Sequence, residues 1–94
     1  MTKYYYHNKH NPTKGVNDLA YELISDKGYD TTSDEPVVVY APLYDCEFEV
    51  FSRRASDFYG EVEIDGAKQK RFQEITDENI VEQIRAIAPK FKFR

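Results

Sequence analysis

The clearest hydrophobic pattern in the chain is the run Val37-Val38-Val39-Tyr40, whose β-branched residues predict a strand. A second apolar stretch returns at Phe48, Val50 and Phe51, and a two-residue turn at Asp45-Cys46 would fold it back on the first. With that turn, Leu43 faces Phe48, Ala41 faces Val50 and Val39 faces Ser52, which makes one mostly apolar side expected to meet the core. On the other side Pro42 meets Glu49, Tyr40 meets Phe51 and Val38 meets Arg53, with Tyr44 at the end. The alternation therefore collects Tyr40, Tyr44, Phe51 and Arg53 on a single sheet face.

A second hairpin is marked by Asp65-Gly66, the dipeptide expected of a type I′ turn. It sets Ile64 opposite Ala67, Val62 opposite Gln69, Glu63 opposite Lys68 and Glu61 opposite Lys70. The last two are opposite-charge pairs on an exposed face. Strict alternation would put Phe72 on that charged side, so a bulge near Lys70 or Arg71 is expected to turn it inward. Residues 19–25 predict another strand, stopped by Lys27-Gly28, and residues 8–18 and 26–36 read as loops. Beyond these, Ile80, Val81, Ile84, Ile87 and Ala88 recur at helical spacing behind a Thr76 or Asp77 cap, and Pro89 ends the run. The pattern predicts a mainly β domain over residues 1–94: a small antiparallel, SH3-like or partly open barrel of about five strands, with a C-terminal α-helix at about 77–88. Its Ile80, Ile84 and Ile87 should be buried against the sheet or against a second copy in a homodimer.

Composition narrows the function classes. Ninety-four residues build one small core, which leaves little room for a deep enclosed active site. Eight Tyr and six Phe supply much of the apolar area, and a single Cys gives no internal disulfide. No apolar run suits a signal peptide or a membrane span, so the chain reads as cytoplasmic. The net charge of −4 is unevenly spread. Residues 1–14 carry +3, residues 15–52 carry −8, residues 53–72 carry +1 and the remainder is neutral. An acidic middle makes nucleic acid an unfavourable partner, because a bound strand needs a continuous basic track. The tail Lys90-Phe91-Lys92-Phe93-Arg94 is basic and aromatic, but terminal segments fray more often than they function.

The ordered set Val38-Val39-Tyr40, Leu43-Tyr44, Arg53, Phe58, Glu61-Val62-Glu63, Asp65-Gly66 and Arg71-Phe72 resembles the domain-of-unknown-function family numbered 1653, a small bacterial family. The resemblance covers residues 4 to about 75, with Tyr21-Glu22-Leu23-Ile24 standing for a further motif. Phe51 stands where the family has Trp, Ser52 and Arg54 replace its Val and Pro, Asp57 its Met, and Asp45 its Gly after Leu-Tyr. The helix lies beyond the family's core. Such a resemblance implies a fold and names no activity.

Candidate chemistry is sparse. His7 and His10 are spaced like a metal pair, but lie in a loop with no Cys partner, and zinc needs three or four converging ligands. Asp45 and Glu47 would keep the Cys46 thiol protonated, so a partly buried strand cysteine is expected rather than a nucleophile. The acids at 61, 63 and 65 are accounted for by lysines and a turn. No phosphate loop, nucleophile elbow or zinc signature is present, so neither a catalytic residue nor a cofactor is assigned. The remaining candidate is the face of Tyr40, Tyr44, Phe51 and Arg53, which could bind a small ligand, a peptide or a protein partner, with Arg53 meeting an anion. The competing reading is structural: both sheet faces buried, and Arg53 a strut bonded to backbone carbonyls or a nearby acid. An enzyme or accessory subunit that needs a partner chain or a metal is the alternative function.

Overall fold

A computed structural model describes residues 2–91, so the tail residues Lys92, Phe93 and Arg94 lie outside the described residues. In chain order it has β1 (Tyr4–His7), β2 (Ala20–Asp30), β3 (Glu35–Pro42), β4 (Phe51–Arg54), the single helical turn α1 (Ala55–Phe58), β5 (Glu61–Ile64), β6 (Ala67–Lys70), β7 (Phe72–Glu74) and α2 (Glu78–Ile87). Five strands form one antiparallel sheet in the order β4-β3-β2-β1-β7, and β5-β6 form a separate ribbon. The fold is mainly β with a C-terminal helix, as the pattern predicts. The sheet does not close into a barrel; β4 and β7 are its two edges.

Several local expectations are corrected. The strand expected at 19–25 runs on to Asp30, and the loop expected at 26–36 shrinks to a turn between Asp30 and Glu35. Lys27-Gly28 does not stop β2, because irregularities in register between Leu23 and Gly28 absorb the mismatch. Gly28 lets β3 approach closely: a Cβ there would lie 3.0 Å from Val37 Cγ2. Asp45-Cys46 is not a tight turn. The predicted register holds at Val38↔Arg53, Val39↔Ser52 and Tyr40↔Phe51, then pairing stops. Leu43 is drawn instead toward the start of β2, its N–H donating to Ala20 O at 2.9 Å and its carbonyl accepting from Asn17 Nδ2 at 2.7 Å. Residues 45–50 consequently bow outward, and Phe48 and Val50, expected in the core, are 59% and 42% exposed. Cys46 is exposed with them, not part of a strand.

The second hairpin has the predicted register throughout, with Asp65 at φ 52° and Gly66 at φ 79°, both in the left-handed region a type I′ turn requires. No bulge turns Phe72 inward. The ribbon ends at Arg71, whose N–H donates to Gly60 O at 3.0 Å, and Phe72 enters the main sheet opposite His7.

Period-two alternation then sorts the side chains. Tyr4, Ala20, Leu43 and Ile75 face α2, where Ile84 is fully buried and Ile80 and Val81 are half-buried. The helix is capped by Asp77, which accepts from the N–H groups of Asn79 and Ile80. Ile87, expected to be buried with Ile84, is only half-buried and stands apart from that cluster. Tyr5, Tyr21, Val38, Tyr40 and Phe72 face the other way and make a second, aromatic cluster. Phe58, delivered by α1, caps part of it, stacked on Phe72 at 4.4 Å between ring centroids. Among the described residues no helix is long and apolar enough to cross a membrane.

Candidate functional site

Where α1 stops, the aromatic face stays open as a depression of about 510 Å³. Tyr40, Tyr44, Phe51 and Arg53 all line it, so the four residues singled out by alternation are brought together. Tyr40 is buried in the floor, while Tyr44, Phe51 and Arg53 are half-buried. Both faces of the sheet bury apolar side chains, as the structural reading expected, although part of the aromatic face stays open.

Tyr21 is the hub of the floor. Its ring centroid lies 5.2 Å from Tyr40, 5.6 Å from Tyr44, 5.7 Å from Phe72 and 6.3 Å from Phe51, each in an edge-to-face arrangement. Its hydroxyl shares a hydrogen bond of 2.8 Å with that of Tyr44, so one of the two hydroxyl protons is uncommitted. Burial, and then this hydrogen bond, raise the Tyr21 phenol well above its ordinary pKa, and burial also raises Tyr44; both stay neutral at physiological pH.

Arg53 lies with its guanidinium carbon 5.4 Å from the centroid of the Phe72 ring, a cation–π contact, and its Nε–H donates to the Tyr40 hydroxyl at 3.3 Å. That is its one hydrogen bond among the described residues. The neighbouring Arg54 is committed instead, paired with Glu35 at 3.0 Å across the edge of the sheet.

Two further polar residues line the depression: His7, expected in a loop as half of a metal pair but placed at the end of β1, and Lys9, which the sequence did not mark. His7 stands opposite Phe72 in β1–β7, edge-on to that ring at 5.2 Å, and Lys9 follows it at the rim. The Lys9 backbone N–H donates to His7 Nδ1 at 3.1 Å, so the neutral imidazole carries its proton on Nε2. Burial lowers the pKa of His7, and Arg53, Lys9 and Arg71 lower it further. The signal that could have found His7 is the alternation Tyr5-x-His7, which puts both on the aromatic face once Tyr4–His7 is read as a strand. The loop 8–18 that presents Lys9 is pinned at several points. Asn8 N–H donates to Arg71 O, Asn11 N–H to Asp18 Oδ2, and the Tyr6 hydroxyl to Val16 O. At its end Leu19, also in the lining, is held at φ 47°, a left-handed conformation costly for a bulky side chain.

His7 and His10 do not act as a pair. His10 leaves this face to stack on Tyr6 at 3.6 Å, and its Nδ1 lies 2.6 Å from Asp18 O. Among the described residues no three His, Cys, Asp or Glu side chains gather as metal ligands. Glu61 and Glu63 face Lys70 and Lys68 on the ribbon, away from the depression.

A family model described as a protein of unknown function, DUF1653, matches residues 3–74. The chain belongs to the DUF1653 family. The matched span takes in all five strands of the main sheet and every residue of the depression, and it ends where α2 is about to begin. The site is thus built on the DUF1653 portion alone, and the helix backs the opposite face. No curated protein and no solved structure matches the chain.

Proposed function

We propose that this DUF1653 protein is a cytoplasmic binding module whose depression takes a planar, negatively charged group. One observation carries the reading: among the described residues, five aromatic rings, Arg53 and Lys9 line one open depression in which no acidic side chain takes part, although the chain as a whole is acidic. Aromatic floors bind planar groups through their ring faces and edges, and an Arg held over a ring presents its remaining N–H donors in a fixed fork suited to an oxyanion. The volume falls within the range of small-molecule sites. A strut role for Arg53 would have its guanidinium saturated by protein acceptors, and among the described residues only the bond to Tyr40 is made.

An NMR screen of the labelled protein against small planar anions such as benzoate and indole carboxylates tests this. Shifts confined to His7, Tyr21, Tyr44 and Arg53 are expected. Binding elsewhere, or to no planar anion, would overturn the reading.

A further inference from the structure

We infer that the natural ligand of the depression is a free mononucleotide, its base on the aromatic floor and its phosphate monoester held by Arg53, Lys9 and the Nε2–H of His7. This rests on the binding reading above and deepens it.

The charge count favours phosphate over carboxylate. A phosphate monoester is close to doubly charged at neutral pH, its second pKa being about 6. The depression offers two permanent cations, Arg53 and Lys9, and a third donor that is neutral. Two positive charges match a dianion, whereas a carboxylate would neutralise only one of them. His7 suits the third position because the Lys9 backbone N–H occupies Nδ1 and fixes the proton on Nε2. The charged groups around it are Arg53 from β4, Lys9 from its own loop and Arg71 from the ribbon exit, and with burial they favour the neutral ring. The site is thereby ready to donate without taking up a proton.

The ring side of the ligand has matching partners. Tyr44 and Phe51 are half-buried and keep ring surface available, and the spare Tyr proton can reach an exocyclic oxygen or a ring nitrogen. A free nucleotide fits better than a strand. The loop beside Tyr44 and Phe51 carries Asp45, Glu47 and Glu49, so no basic track leads away for a second phosphate to follow.

Titration calorimetry on the intact chain decides the matter, with AMP and UMP, the nucleosides adenosine and uridine, inorganic phosphate, benzoate and a ten-residue oligothymidylate as probes. At least one monophosphate should bind ten-fold or more tighter than its nucleoside and than phosphate alone. Arg53→Ala and Lys9→Ala should each cut that affinity at least five-fold, and His7→Gln should cut it less than His7→Phe, because Gln keeps a donor. Benzoate binding as tightly as either monophosphate would overturn the nucleotide while leaving the site reading intact. Tighter binding of the oligonucleotide than of any mononucleotide would overturn it in favour of a strand. Silence from every probe would remove both the nucleotide and the site.

Discussion

Arg53 is the residue at which packing and the proposed recognition would meet. Its contact with Phe72 and its bond to Tyr40 hold the guanidinium, and among the described residues the terminal nitrogens make no hydrogen bond, which leaves them to the proposed ligand. Arg53→Ala should therefore lower the melting temperature modestly, since a cation–π contact is worth roughly 0.5–2 kcal/mol between exposed and desolvated sites and Arg53 is half-buried. Loss of a charged hydrogen bond to the ligand should weaken binding by about 1–3 kcal/mol. A thermal melt and a binding isotherm on the same variant check both, and a large fall in melting temperature would mark a strut. His7 makes a separate prediction. Its folded-state pKa lies below the ordinary 6.5, so between those two values the unfolded chain binds more protons than the folded one. The stability that His7 contributes is present above pH 6.5 and is lost as pH falls toward its folded pKa. Melting curves from pH 7.5 down to 5.5 should show this, and in His7→Gln the fall over that interval should be shallower.

At the scale of elements, the readable parts of the sequence were those whose signal is local. Asp65-Gly66 supplies both left-handed residues of its turn, and the whole β5-β6 register follows from it. The helix is written in its apolar spacing and its Asp77 cap. Ile84→Ala should cost about 2–4 kcal/mol, the usual range for emptying a fully buried aliphatic site, and urea unfolding would measure it. A loss under 1 kcal/mol would mean that α2 is not seated on the sheet. The less readable parts were set by partners distant in sequence. Nothing near Asp45 announces that Leu43 will be held by Ala20 and Asn17, and that tether is what throws Phe48 and Val50 outward. Nothing near Lys27 announces a strand that survives its own glycine. The Tyr40, Tyr44, Phe51 and Arg53 grouping was legible because it needed only alternation and the register across from Val38 to Tyr40. Tyr21, His7 and Phe72 were not, since they join it through β1–β2 and β1–β7 pairings.

For the molecule as a whole, the charge of the chain and the charge of its depression have opposite signs. The negative residues 15–52 surround the site in sequence, yet the side chains at its lining are cationic or uncharged. Attraction of an anion is therefore short-ranged, felt at the rim, and the surrounding field discourages longer polyanions. The pairing of β1 with β7, in which Tyr5 lies beside Glu74 and His7 beside Phe72, has a consequence for synthesis. On the ribosome β1 emerges early and can zip onto β2, while the strand destined for its other edge has yet to be translated. Until then that edge is an open template, and the floor of the depression lacks the ring on which Arg53 and Phe58 rest. The aromatic depression is accordingly the last feature of the sheet to be completed, and a nascent chain stalled before Phe72 would bare its tyrosines.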